Sequence, residues 1–436
     1  MSPARANPRP LFLHHAEQLL TLAGPPVPRR RADLDNLGIV HNGALLMAEG
    51  KIVAVGSTRD LRGEAQRRKA RAIDCSGQVV MPGFVDSHTH LVFAGSRVDD
   101  YDQRLRGRTY EEIAAAGGGI ASSARLLRDA SPRALIAQAS AVLRQMAAHG
   151  TTTVEVKSGY GLDVVNEIKT LGVIRSLQKV SPLDLVPTLL AAHALPPEYR
   201  GQGGGAGAYI DLVCERLIPE AARHHLAEFV DCFCETIAFS LDDCRRVLTT
   251  GQKAGLVPRI HAEQLSATGA ARLAVELNAA SADHLDHLTT RDLRTLAQSN
   301  VAASLVPGAN FHLGLRKYPR GRQLIKAGAV VVLATDFNPG TSPTLNMQFV
   351  LALACDAMRF TPAEAISAAT INAAYSVRRH HLCGSLEPGK QADVAVMAVD
   401  DYRKIPYYFG VNHCVIAIKR GRVISPRTVT RITDFP

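Results

Sequence analysis

The chain has 436 residues, 46% of them apolar and 21% charged, enough to bury one large core and a smaller second module. Its formal charge of +10 comes from scattered basic residues such as Arg29-Arg-Arg31, with no helix-turn-helix, zinc-finger or RNA-binding signature beside them, so a solvated basic surface is expected and a nucleic-acid partner is not. No apolar run approaches a membrane span, the first ten residues carry no signal-like apolar segment, and the eight irregularly spaced cysteines read as reduced core residues, which predicts a cytoplasmic protein with no membrane partner.

Near the N-terminus, Ala44-Leu-Leu-Met-Ala-Glu-Gly-Lys-Ile-Val-Ala-Val-Gly56 alternates and breaks at Glu49-Gly50, the pattern of a β-hairpin. From Gly83 onward, short β-branched runs alternate with helical patterns. Eight such runs are predicted as strands: 84–92, 152–156, 185–191, 229–234, 259–262, 281–283, 301–305 and 330–334. Helices are predicted between them, for example over 132–149, 164–179, 241–255 and 293–299. Eight βα units on a parallel sheet predict a (β/α)8 TIM-like barrel. The C-terminal stretches 392–397 and 414–423 return to strand alternation, so the two ends are expected to build one small β-sandwich. The predicted organisation is α/β, with 1–82 and 378–436 forming the sandwich and 83–377 the barrel.

Four strand ends carry residues suited to a divalent metal. Asp86-Ser-His-Thr-His90 places His88 and His90 two apart, which on a strand puts both side chains on one face. A lone His-x-His is a common accident. Here His261, His284 and Asp336 also fall at predicted C-terminal strand ends, where barrels of this kind place their chemistry. Three imidazoles and a carboxylate leave zinc or ferrous iron acidic enough to bring the pKa of a bound water to about 7. Asp336 can hold the metal with one oxygen and take a proton with the other. As a competing reading Asp336 caps a helix, but Ser342 or Thr344 is better placed to do so. His284 is preferred to His287, which lies in the loop beyond, either as a ligand or as a donor to the attacking oxygen.

With these motifs read, the chain resembles the amidohydrolase superfamily, and most specifically its branch that opens a cyclic amide in histidine degradation. The resemblance rests on Pro82-Gly-Phe-Val-Asp-Ser-His-Thr-His-Leu-Val-Phe-Ala-Gly-Ser-Arg97, Glu155-Val-Lys-Ser-Gly-Tyr-Gly-Leu162, Ala282-Asp-His-Leu285, Ala334-Thr-Asp-Phe-Asn-Pro-Gly-Thr-Ser-Pro-Thr344 and Gly384-Ser-Leu-Glu-Pro-Gly-Lys-Gln-Ala-Asp393. It implies one zinc or iron ion per chain on His88, His90, His261 and Asp336, with His284 assisting. It further implies substrate contacts from Arg97, Tyr160, His193, Gln264, Asn338, Gly340 and Thr341, a small anionic substrate and a homodimer. The implied reaction converts 4-imidazolone-5-propanoate to N-formimidoyl-L-glutamate. Arg97 offers a planar fork to a carboxylate, Tyr160 a hydroxyl in a glycine-flanked loop, and His193 a group to polarise the ring carbonyl.

One departure matters. Related deaminases carry His-x-x-Glu on the fifth strand, whereas this chain reads His261-Ala-Glu-Gln264, and an amide cannot shuttle protons. Glu263 alternates to the opposite face, so the proton work falls to Asp336, joined by His284, while Gln264 is kept in the catalytic set without a proton role. The fourth strand also lacks the lysine that dinuclear relatives carbamylate, so one metal is expected. The alternatives are a deaminase of a purine, pyrimidine or related ring, and a barrel scaffold without catalysis.

Overall fold

In the computed structural model, which describes residues 9–109, 112–113, 116–201 and 204–426, the strands form two eight-stranded sheets. The first takes strands from both ends of the chain. Its N-terminal members are β1 (Leu11–Leu20), β2 (Ile39–Ala48), β3 (Lys51–Ser57), β4 (Arg71–Asp74) and β5 (Val79–Pro82). The second sheet follows as β6 (Phe84–Asp86), β7 (Thr151–Lys157), β8 (Asp184–Ala192), β9 (Phe229–Cys232), β10 (Val257–Ala262), β11 (Ser281–His284), β12 (Ala302–Leu305) and β13 (Val330–Leu333). The chain then returns to the first sheet as β14 (Val394–Met397), β15 (Cys414–Lys419) and β16 (Arg422–Pro426).

The first sheet runs β16-β15-β14-β5-β1-β2-β3, with β4 pairing β1. Period-two alternation assigns its faces: Leu11, Leu13, Leu45 and Met47 enter one apolar cluster with Val394, Val396 and Ile418. Phe12, Ala44 and Leu46 enter the other, against Ala65 of the helix Thr58–Arg67. Each such Leu, Ile or Val, fully buried, contributes about 1.5–3 kcal/mol. The hairpin turns where expected, because Glu49 and Gly50 both adopt positive φ (53° and 80°), as a two-residue turn between right-twisted strands requires.

In the second sheet the order β13-β12-β11-β10-β9-β8-β7-β6 follows the chain, and every pairing described between β8 and β13 is parallel. Such strands are covered on both faces, which is why Val330, Val331, Val332 and Leu333 are all buried and read as one apolar run. The ring is nearly closed beyond the strand ends. Thr89 bridges Phe337 in parallel, Asp336 N–H donates to His88 O at 3.0 Å, and His90 N–H donates to Phe337 O at 2.9 Å. The sheet is thus the expected (β/α)8 barrel, with helices such as Val164–Val180 and Leu241–Lys253 between strands.

Several local expectations are corrected. The first barrel strand ends at Asp86, so His88 and His90 lie on the extended segment after it, held by that Phe337 bridge instead of by a continuous ladder. The helix Met347–Met358 is capped by Asn346, whose side chain accepts from Gln348 N–H and Phe349 N–H, while Ser342 donates its hydroxyl to Thr335 O at 2.6 Å. Cys232 and Cys244 are paired as a disulfide, because the end of β9 and the first turn of the helix Leu241–Lys253 bring their Cα atoms to 5.7 Å. The other six cysteines are thiols. Among the described residues, no helix is long and apolar enough to cross a membrane.

Candidate active site

The C-terminal strand ends of the barrel bring His88, His90, His261, His284 and Asp336 together. Donor atoms of His88, His90 and Asp336 lie within 4.8 Å of one another, and so do those of His88, His261 and His284. Asp336 Oδ1 is 3.4 Å from both His88 Nε2 and His90 Nε2, and His261 Nε2 is 3.4 Å from His90 Nε2. All five side chains are buried. His284 and Asp336 adopt positive φ (78° and 53°), a conformation uncommon outside glycine that aims both side chains at the cluster.

Below the cluster, carboxylates take the outer nitrogens of two rings. His88 Nδ1 is 2.8 Å from Asp283 Oδ2, and His261 Nδ1 is 3.1 Å from Asp231 Oδ2. A carboxylate there keeps the proton on Nδ1 and leaves the Nε2 lone pair facing the cluster. Asp86 fixes the facing segment by accepting from Thr335 N–H and from its hydroxyl, next to Asp336.

Do these residues fit a metal? His88 Nε2, His90 Nδ1 and both His284 nitrogens are buried with no hydrogen-bond partner among the described residues, an arrangement that costs free energy unless something binds them. Charge agrees: the connected group of Asp231, Asp283, Glu155 and Asp336 carries four negative charges against two positive ones on Lys157 and Arg259. This surplus of negative charge suits a bound cation. Burial and Lys157 push the His88 imidazole down, yet Asp283 and Asp336 outweigh them and raise it to about 9, so Nε2 takes a proton that a bound cation would displace to use the lone pair. Burial first, helped by the imidazoles of His88 and His261 and opposed by Asp336, lowers His90 to about 4 and holds His284 well below the usual range. Burial works to raise the Asp336 carboxyl, but the imidazoles of His88 and His90 hold it well below the carboxylate range. Imidazole nitrogens plus a carboxylate suit a borderline-soft divalent ion such as zinc or ferrous iron.

A cavity of about 430 Å³ opens over this cluster, and His90, His261, His284 and Asp336 form part of its wall. Arg97, Tyr160, His193, Gln264, Asn338 and Thr341 also line it. Arg97 donates through Nε to Asp100 at 2.8 Å, so its charge is shared before any ligand arrives. Gly340 is set back from the cavity and leaves room for Arg97: a Cβ there would lie 2.1 Å from Arg97 Nη1. The Asn338 amide is engaged within its own loop, donating to Asp336 O and accepting from Gly340 N–H and Thr341 N–H. Tyr160 is 3% exposed, and Glu167 holds its loop by accepting from Gly159, Gly161 and Leu162 N–H.

His193 stacks on His90 with ring centroids 4.9 Å apart, and its Nδ1 lies 2.9 Å from Gly159 O. Burial, then His90 and His261, hold its pKa well below 6.5, so the ring is neutral and its single proton goes to that carbonyl. Its Nε2 is therefore an acceptor. In that tautomer Nε2 has no proton with which to polarise a carbonyl. Glu263 points away as expected, its carboxylate accepting from Ala271 N–H.

Some wall residues were not singled out from the sequence. Arg104 adds a second guanidinium, and Ile237, Leu265 and Leu315 form an apolar rim, each more than two-fifths exposed. Arg104 sits seven residues after Arg97, one helical face along the segment Val98–Leu105, which was the available signal. Lys157, Asp231 and Arg259 were legible only as charged residues inside β-branched runs.

A model of the amidohydrolase family matches residues 79–424. The chain belongs to that family. Amidohydrolase relatives matching nearly end to end are imidazolonepropionases, such as that of Geobacillus kaustophilus (47% identical, covering 95% of this chain and 98% of the relative) and that of Solibacter usitatus (46%, 95% and 99%). Solved structures similar in fold include a Xanthomonas campestris adenosine deaminase with bound zinc (TM-score 0.69, 16% identity, 98% and 94% coverage). A Klebsiella pneumoniae 5-methylcytosine deaminase is similar too (TM-score 0.71, 16% identity, 98% and 100% coverage). At that identity the likeness shows the amidohydrolase fold alone.

Proposed function

We propose that the chain hydrolyses the ring amide of 4-imidazolone-5-propanoate to N-formimidoyl-L-glutamate, a step of histidine degradation. The observation that carries this is 47% identity to an imidazolonepropionase over 95% of the chain, in a fold whose histidines and aspartate share one buried cluster. His88, His90, His261 and Asp336 would hold the metal, zinc or iron, with His284 beside it. When bound, such an ion acts as a Lewis acid that brings the acidity of a water toward neutral pH.

The rest is the work of the chain's own side chains. Asp336, ionised because the imidazoles hold its pKa down, takes a proton from the attacking water. As the ring C–N bond breaks, it returns that proton to the departing nitrogen. His284, neutral at physiological pH, orients the attacking oxygen. Arg97, with Arg104 behind it, pairs with the propanoate carboxylate, and His193 Nε2 accepts from a ring N–H. Tyr160, Asn338 and Thr341 shape the cavity around the ring, and Gln264 contributes hydrogen bonds without proton transfer.

The same reading includes a barrel domain over 83–377 between sandwich segments 1–82 and 378–436. It also includes a cytoplasmic homodimer, with the exposed Tyr407 and Phe409 as a candidate contact, which sedimentation would test. The decisive experiment is imidazolone consumption with identification of the product. Formimidoylglutamate, about one metal per chain and loss of turnover on chelation are expected; released ammonia would mark a deaminase, and a protein that takes up no metal a scaffold.

A further inference from the structure

Lys157 stands at the C-terminal end of β7, 0% exposed, with no direct part in the reaction just described. Its ammonium lies 2.9 Å from Asp231 Oδ2, 3.0 Å from Glu155 Oε1 and 3.8 Å from Asp283 Oδ2, all on fully buried side chains. Each carboxylate leads to a different part of the histidine cluster. Asp231, on β9, contacts His261 Nδ1 at 3.1 Å. Asp283, on β11, contacts His88 Nδ1 at 2.8 Å. Glu155 accepts from Thr89 N–H at 3.1 Å, the peptide between His88 and His90, and takes the Thr188 hydroxyl on its other oxygen. The Lys157 N–H also donates to Thr89 O at 3.0 Å. Arg259 braces the same layer, donating to Ser87 O at 2.8 Å and lying 3.4 Å from Asp283.

Five buried charges in one layer are a costly way to fill a barrel, because apolar residues of equal volume are often as stabilising or more so. Retained here, they make Lys157, beside Arg259, a group that connects the surroundings of His261 with the segment carrying His88 and His90. We propose that Lys157 is a positioning residue: by holding Asp231 and Glu155 together, it fixes the orientation of His261 relative to His88 and His90. This rests on the metal reading above. The contribution is directional, since an ammonium so near a metal site does not itself attract a cation.

Cobalt(II), whose visible spectrum reports ligand geometry, is the probe. Wild-type protein loaded with one cobalt gives the reference spectrum. Lys157→Met, which keeps the volume and removes the charge, is expected to shift the visible bands and to lower kcat about 10–100-fold with KM within about threefold. Lys157→Arg is expected to recover most of the wild-type spectrum. In an Asp231→Asn background, adding Lys157→Met should leave the cobalt spectrum as in Asp231→Asn alone, because the Glu155–Lys157–Asp231 bridge to His261 is already broken. That pair, balanced in charge, also decides the matter if Lys157→Met alone does not fold. A wild-type spectrum and kcat in Lys157→Met, or a further spectral shift in the Asp231→Asn background, overturns the positioning role while the metal reading stands. Wild-type protein that takes up no cobalt overturns both.

Discussion

The floor and the mouth of the cavity are built on different principles. On the floor, His88, Asp231, Asp283, Glu155 and Lys157 are wholly buried, and ion pairs and hydrogen bonds hold them from several strands at once. At the mouth, Arg97 and Thr341 sit on loops, and Ile237, Leu265 and Leu315 stay partly exposed. A floor of this kind can move only as a unit, whereas mouth residues can change one at a time. Chemistry should therefore depend on the floor and substrate choice on the mouth, so floor variants should lower kcat and mouth variants should raise KM.

The largest effect that would sharpen this division is expected from Asp336→Ala. Steady-state kinetics on metal-loaded protein should show kcat falling by about 100- to 10,000-fold, the range for a lost proton-transfer group. A variant within tenfold of wild type would break the assignment. Next comes Arg97→Met: losing a charge-assisted hydrogen bond, about 1.5–3 kcal/mol, should raise KM roughly 10- to 100-fold with kcat little changed. Equal loss in kcat would place Arg97 with the floor.

Gly340→Ala tests the same guanidinium indirectly. The new Cβ would lie 2.1 Å from Arg97 Nη1, so the arginine must shift, and KM should rise by about tenfold, close to 1.4 kcal/mol. An unchanged KM would show that Arg97 finds an equivalent pose.

The smallest effect concerns Glu167, which holds the Tyr160 loop. Burial raises its carboxyl above the ordinary 4.5, against the hydrogen bonds from Ser158 and the loop amides. Between the unfolded and folded pKa the folded chain binds more protons, so this group's contribution to stability falls as pH rises through that window. Glu167→Gln cannot ionise, and its melting temperature should decline less than wild type as pH rises above 4.5. Parallel melting curves would show that Glu167 has no such effect.

The barrel was legible because fully covered parallel strands read as apolar runs, as Val330 to Leu333 do, and because chance seldom puts imidazoles and a carboxylate at four strand ends together. The hairpin was legible because Glu49-Gly50 interrupts a strict alternation. Ion pairing across the floor was not, since nothing in Glu155-Val-Lys157 says that its charges meet Asp231 from another strand. For the same reason the Cys232–Cys244 pair has no signature in the sequence, its partners being joined only once β9 and the next helix pack. The His193 tautomer needed the Gly159 carbonyl, a backbone group with no signature in sequence. His88 and His90 were placed on a longer strand than exists, because a bridge to Phe337 extends the same pattern without a ladder.

That bridge has a thermal consequence. The first and last staves of the barrel meet through Thr89 and Phe337, and the side chains on either side of this seam are His88, His90 and Asp336. A cation gripped by all three would work as a clasp across the join, so stripping it should lower the melting temperature and let proteases cut first near residues 87–95 and 336–345.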